Sequence, residues 1–221
     1  MTGNRMSRRT LMSSATLGTL AAGLGALPAL AQRKADLPVN VDELMKPGEL
    51  PDLVLGKADA PCTIVEYASM TCSHCGHFHN TVFEQLKTKY IDTGKVRFVM
   101  REFPLYTLAL SASMLARCAG GDKTIPLIGV FFNRQEDWAF LRTNQIPPLF
   151  KLAQQAGFTK ESFDKCLTDD ALSKKIIAGR ERASKVFGVD ATPTFFINGK
   201  RLNDAPTMEA FDKAIGEIVK S

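Results

Sequence analysis

Between residues 62 and 104 the apolar positions change their period twice. Cys62-Thr63-Ile64-Val65-Glu66-Tyr67 is β-branched and mostly apolar, which predicts a buried strand. After a turn over 68–71, Phe78, Val82, Leu86 and Tyr90 recur four residues apart, so a helix is expected over 72–91. Asp92-Thr93-Gly94 should end it, with Gly94 suited to a left-handed cap. Val96-Arg97-Phe98-Val99-Met100 reads as the next strand, closed by Pro104. A strand–helix–strand unit of this length implies a parallel crossover. Leu53-Val54-Leu55 reads as a short edge strand ahead of it.

The pattern then changes. Residues 107–187 carry helical spacing and no convincing strand, with helices expected near 107–119, 122–133, 146–156, 160–168 and 170–187. After Gly188 the strand pattern returns. Thr194-Phe195-Phe196-Ile197 and Arg201-Leu202 flank Asn198-Gly199, the strongest short hairpin signal. A last amphipathic helix over 207–220 places Met208, Phe211, Ile215 and Ile218 together. The chain therefore divides into an N-terminal extension at 32–55, a βαβ piece at 56–106, a helical block at 107–187 and a ββα piece at 188–221. In the extension, Pro38, Pro47, Gly48 and Pro51 break any long helix. The two flanking pieces can share one sheet with the helical block inserted between them.

Charge sets residues 1–31 apart. The chain has 221 residues and a formal net charge of +5. Arg5, Arg8 and Arg9 supply three of the positive charges, and residues 1–31 hold no acid. An uncharged stretch over 10–31 ends in Ala29-Leu30-Ala31, a small-x-small cleavage pattern, so 1–31 reads as an export signal peptide removed after about Ala31. Ser7-Arg8-Arg9-Thr10-Leu11-Met12 is similar to a twin-arginine signal. Gly18, Gly23, Gly25 and Pro28 weaken the alternative of an uncleaved membrane anchor. Without the leader, 25 basic and 23 acidic residues remain, a net of +2. That balance gives no reason to expect a nucleic-acid partner.

The candidate chemistry lies in Cys72-Ser73-His74-Cys75. A Cys-x-x-Cys where a strand meets a helix reads as a redox pair. The first cysteine sits where unsatisfied N–H groups present partial positive charge, which stabilises the nucleophilic thiolate. Cys75, one turn further on, can attack a mixed disulfide formed at Cys72. A protonated or hydrogen-bonding His74 would favour the Cys72 thiolate further. Stabilising the thiolate stabilises the reduced protein, so the disulfide becomes the electron-hungry form. Zinc is the rival reading, because Cys72, Cys75, His77 and His79 are close in sequence. A structural zinc site draws on two separated ligand pairs, and no second pair exists here. His77 and His79 are instead expected on the helix surface. Covalent haem would need His at position 76, which is Gly76.

The strand Ile64-Val65-Glu66-Tyr67-Ala68-Ser69, the Cys72–Cys75 motif, Gly188-Val189-Asp190-Ala191-Thr192-Pro193-Thr194-Phe195, the Asn198-Gly199 hairpin and the helical block together resemble the DsbA-like thiol–disulfide oxidoreductases of the thioredoxin superfamily. The resemblance implies an α/β thioredoxin fold with an inserted all-helical subdomain. It implies a redox-active disulfide, Cys72–Cys75, with no cofactor and no metal. Thr192-Pro193 would face that disulfide with Pro193 cis and would bind substrate backbone. Glu66 matches the family's buried acid, which relays a proton to or from Cys75; the plainer alternative is a carboxylate reaching the sheet edge. The function implied is a periplasmic oxidase that passes its disulfide to reduced or unfolded secreted proteins and is reoxidised by a DsbB-like membrane partner. Ser73 stands where the best-known oxidases have Pro, and Thr192 also occurs in isomerase and reductase relatives. An isomerase or reductase therefore stays open, as does a non-catalytic chaperone or metal carrier on the same fold. Residues 32–55 are too short and broken for a dimerisation region, so a monomer is expected.

Three cysteines remain. Cys118 and Cys166, 48 residues apart, are expected as a structural disulfide stapling the helical block, since export leads to an oxidising compartment. The alternative is two buried free thiols. Cys62 should be the unpaired, buried one.

Overall fold

The structure, a computed structural model, describes residues 39–219. The predicted leader, its twin-arginine-like run and the start of the extension lie outside the described residues, as do positions 220 and 221. Five strands form one mixed sheet in the order β1-β3-β2-β4-β5. They are β1 (Leu53–Leu55), β2 (Cys62–Ala68), β3 (Val96–Glu102), β4 (Thr194–Ile197) and β5 (Lys200–Arg201). β2 runs parallel to β3, while β1 pairs antiparallel with β3 and β4 antiparallel with β2. The N- and C-terminal pieces thus meet in one sheet, and the helices of 107–187 enter between β3 and β4.

Strand alternation divides the core between the two faces of the sheet. Cys62, Ile64 and Ala68 of β2 point into one cluster with Phe98 and Met100 of β3 and Phe195 and Ile197 of β4. Helices α2 (Ser73–Thr81), α3 (Phe83–Leu86) and α10 (Met208–Val219) contribute Phe78, Leu86, Phe211 and Ile215 to it. Val65, Tyr67, Val99 and Phe196 point the other way, into a cluster with Leu44 of α1 (Val41–Met45) and with Ala183 and Phe187 of α9 (Asp170–Phe187). Both faces of the central strands are therefore covered, which fits their near-continuous apolar sequence.

The helical block contains α4 (Thr107–Ala119), α5 (Thr124–Asn133), α6 (Gln135–Trp138), α7 (Ile146–Ala153), α8 (Lys160–Leu167) and α9. Single turns of 3-10 helix extend α5 at its start and α7 at its end. The sequence pattern shows five of these six; α6 escapes it. Cys118 and Cys166 form a disulfide that joins α4 to α8.

The stretch expected as one helix over 72–91 is three consecutive segments. α2 gives way at Val82, where φ widens to −111°, and α3 runs into a π-helical turn at Lys87–Ile91. Side chains compete for the carbonyls around the break: Thr81 Oγ1 donates to the His77 carbonyl at 2.7 Å and Gln85 Nε2 to the Thr81 carbonyl at 2.8 Å. Phe78, Val82, Leu86 and Tyr90 still share the buried side.

At the β4–β5 turn, Asn198 and Gly199 both have positive φ, 43° and 81°, as a tight hairpin between twisted strands requires. A side chain at 199 would also strike Val41, placing its Cβ 2.5 Å from that residue's Cγ2. Asn198 accepts from the Thr63 amide at 2.7 Å, tying the hairpin to the start of β2.

Candidate active site

The topology brings two remote segments to one end of the sheet. β2 ends at Ala68 and the chain turns through Ser69, Met70 and Thr71 to Cys72. β4 is antiparallel to β2 with Thr194 opposite Tyr67, so its first residue lies at that same end. Thr192 and Pro193, just ahead of β4, therefore come down beside Cys72. The Thr192–Pro193 peptide bond is cis. The Cys72 thiol donates to the Thr192 carbonyl, with sulfur and oxygen 3.2 Å apart.

Cys72 is the N-cap of α2, with extended backbone and its sulfur accepting from the Cys75 amide at 3.5 Å. Both cysteines are free thiols, as is buried Cys62. Cys72 is 8% exposed and Cys75 fully enclosed. The Cys72 thiol is lowered to about 5, chiefly by a hydrogen bond from the Cys75 thiol. Burial opposes that shift, while Thr192 and the amides of Cys75 and His74 support it. The Thr192 hydroxyl is buried without a partner at full hydrogen-bonding geometry. It nevertheless helps lower Cys72, which makes it a donor in reserve for the thiolate. Cys75 moves the opposite way, far above the ordinary thiol range, first through burial, then through the Cys72 hydrogen bond and the Glu66 charge. Cys62 is pushed up to about 11 by burial, as befits a thiol that packs rather than reacts.

Ser73 and His74 between the cysteines are exposed. His74 lowers Cys72 through its backbone amide; its imidazole has no hydrogen-bond partner among the described residues. Glu66 sits under α2, as strand parity dictates, with no solvent exposure and with Phe195 and Met100 beside it on the neighbouring strands. It does not reach the sheet edge.

His79 corrects the surface placement expected from sequence. It faces inward, with Nε2 at 2.9 and 3.2 Å from the two Glu66 carboxylate oxygens. Its ring stacks on Phe132, centroids 4.2 Å apart, and packs against Phe83 and Phe78. His77 remains exposed. Among the described residues no three His, Cys, Asp or Glu side chains gather into a metal-binding group.

Gln135 of α6 is a site residue the sequence did not reveal. Its Nε2 donates to the Met70 carbonyl at 2.8 Å and to the Cys72 carbonyl at 3.0 Å. It stands in Arg134-Gln135-Glu136-Asp137, a run that reads as solvated surface. The available signal was Trp138, one turn later on the same face of α6.

This is a thioredoxin fold carrying a dithiol at a helix N-terminus opposite a cis-proline loop. The thioredoxin family model matches residues 49–217, and the chain belongs to that family, in its DsbA-like branch. The crystal structure of alpha-DsbA1 from Wolbachia pipientis superposes with a TM-score of 0.74 at 31% identity, over 82% of this chain and 96% of that one. BdbD from Bacillus subtilis shares the fold, with a TM-score of 0.68 at 20% identity over 84% of this chain and 98% of that one. A Rickettsia bellii chain named "Putative protein-disulfide oxidoreductase" is 38% identical over 169 residues, 75% of this chain and 65% of that one. A Rickettsia typhi relative with the same descriptive name is 34% identical over 77% of this chain and 64% of its own length. The chain thus spans a little under two thirds of the length of these curated relatives.

Proposed function

We propose that this chain exchanges disulfides with other proteins through Cys72 and Cys75, and that it does so as an exported, periplasmic oxidase. The observation that carries the reading is the opposite displacement of the two thiols: Cys72 lowered to about 5 at the mouth of the site, Cys75 raised and fully enclosed behind it. The same nucleophile–resolver asymmetry makes the reduced state comfortable and the disulfide reactive.

A substrate thiolate attacks the Cys72 sulfur of the Cys72–Cys75 disulfide. The S–S bond breaks, and Cys75 leaves with the electron pair and takes up a proton, for which Glu66 is the adjacent acid. A second substrate thiolate attacks the substrate sulfur of the mixed disulfide and releases Cys72 as the thiolate. Two electrons pass to the enzyme and one disulfide to the substrate. The Thr192 backbone, in the segment just ahead of β4, would offer hydrogen bonds to an extended substrate segment once the Cys72 thiol no longer donates to its carbonyl. A DsbB-like membrane partner would remove the electrons again. The leader composition supports export.

The deciding measurement is the equilibrium between the Cys72–Cys75 pair and glutathione, together with oxidative refolding of a reduced multi-thiol substrate by the oxidised protein. Strongly oxidising behaviour with rapid disulfide formation is the expected result, abolished by Cys72→Ala. A thioredoxin-like equilibrium would make the chain a reductase. Efficient repair of scrambled disulfides, with a two-subunit mass in light scattering, would make it an isomerase.

A further inference from the structure

The loop that delivers Cys72 is held by the helical block. Met70 and Cys72 are separated by one residue, and both carbonyls point at a single nitrogen, Gln135 Nε2, at 2.8 and 3.0 Å. Each hydrogen of that NH2 group therefore has its own acceptor, and a planar amide spans two carbonyls only when they are fixed relative to one another. The Cys72 carbonyl also accepts the first helical bond of α2, from the Gly76 amide at 3.0 Å. Gln135 thus bridges the turn to the first residue that defines the helix end.

Gln135 is itself anchored. It is 6% exposed, and the Trp138 side chain one turn later is fully buried, with Nε1 donating to the Phe131 carbonyl at 2.9 Å. Across from it lies the glycine that follows the redox motif. A Cβ at Gly76 would fall 2.1 Å from Gln135 Oε1. Gly76 has an ordinary helical backbone, so its lack of a side chain answers to this close approach rather than to a turn. Gly76 and Gln135 are a matched pair across the interface of α2 and the helical block.

We infer that Gln135 is a positioning residue for the dithiol: it fixes the Met70-Thr71-Cys72 backbone so that the Cys72 sulfur stays aimed between the Cys75 amide and the Thr192 loop. It touches no sulfur and transfers no proton. The inference rests on the proposed dithiol exchange and adds that the helical block tunes the reactivity of the thiol it covers. A loop free to swing would take the sulfur away from the donors that favour its thiolate.

The test uses the full chain. Gln135→Met keeps length and bulk but removes both donors. Thiolate absorbance against pH, the glutathione equilibrium constant and the melting temperature are measured on the same samples. The expected result is a Cys72 midpoint raised by about one unit and a glutathione equilibrium about tenfold less oxidising. Gly76→Ala, which pushes Gln135 away, should move both readouts in the same direction. In a Gln135→Ala background it should add little, because the clash has gone. A Gln135→Met protein whose titration and equilibrium stay within twofold of the parent, whatever its melting temperature, overturns the inference and leaves a packing role. Additive effects of Gly76→Ala and Gln135→Ala overturn it also. A parent protein that fails to exchange with glutathione at all overturns the functional reading instead, and the inference with it.

Discussion

Glu66 Oε2 and His79 Nε2 lie 2.9 Å apart beneath the redox helix, and the two side chains keep 0% and 8% of their surface. A carboxyl group wholly inside an apolar cluster is costly unless it is hydrogen-bonded. His79 supplies that bond, from a position four residues after Cys75 on the same helix. One side chain thus partners the acid while the neighbouring turn presents the thiol.

His79→Leu keeps an apolar ring-sized contact with Phe132 but leaves Glu66 without its partner. The expected loss is about 1–3 kcal/mol of unfolding free energy. Glu66→Leu in the same background should restore much of it, since two apolar groups no longer leave one polar group stranded. Denaturant unfolding of the four proteins gives the coupling, and simple additivity would argue against the pair.

Glu66→Gln preserves shape and removes the charge that helps raise Cys75. The Cys75 thiol should then titrate lower than in the parent, though still high because burial is the larger cause. Release of Cys75 from the Cys72–Cys75 disulfide, as a substrate thiolate forms the mixed disulfide at Cys72, should slow near pH 7, because the adjacent acid has gone. Stopped-flow measurement of that step checks both; an unchanged rate would remove Glu66 from the proton path.

The lowered Cys72 pKa predicts a break in the redox potential against pH. Below about 5 the reduced pair carries two protons, and above it carries one, since Cys75 stays protonated. The slope should halve there, from about 59 to about 30 mV per pH unit. The sign follows from linkage: the folded Cys72 titrates below its free value of 9.0, so its stabilisation of the reduced state is complete above that value and lost as pH falls through about 5. At pH 7 it contributes about 3 kcal/mol, or about 60 mV of oxidising power. Reduced protein should therefore melt above oxidised protein at pH 7, and the gap should close toward pH 5.

Removing the second disulfide, with Cys118→Ala and Cys166→Ala together, should destabilise without disarming. Closing a loop of 48 residues is worth about 4 kcal/mol in the chain-entropy model. Glutathione exchange at Cys72 should stay close to the parent, since neither residue touches the site. Calorimetry and the exchange assay on one preparation separate the two effects.

Much of this arrangement was legible in the chain. The apolar run of Cys62–Tyr67 reads as a buried strand, but it does not by itself say which way Glu66 points; the family resemblance implied a buried acid there, and Glu66 is buried beneath α2. Asn198-Gly199 fixed the hairpin that starts at the Thr192 loop. The pattern failed at polar residues whose partners are distant in sequence. His79 shares the Cys75 edge of α2, yet a histidine between His77 and Asn80 reads as surface, and only the tertiary packing of α2 brings it to Glu66. Gln135 contacts Met70 across 65 positions. Its helix is four residues long, too short for any periodicity to show. Helix propensity also hid the break at Val82, which depends on side chains capping particular carbonyls.

The Cys118–Cys166 link lies wholly inside the helical block, and Cys62 is sealed in a strand with its thiol held near 11. Five cysteines thus reduce to a single exchangeable couple. Under the proposed exchange, the molecule would store one electron pair per turnover, with no second cysteine couple to hold another, and each cycle would have to end with an outside acceptor before the next substrate could be served.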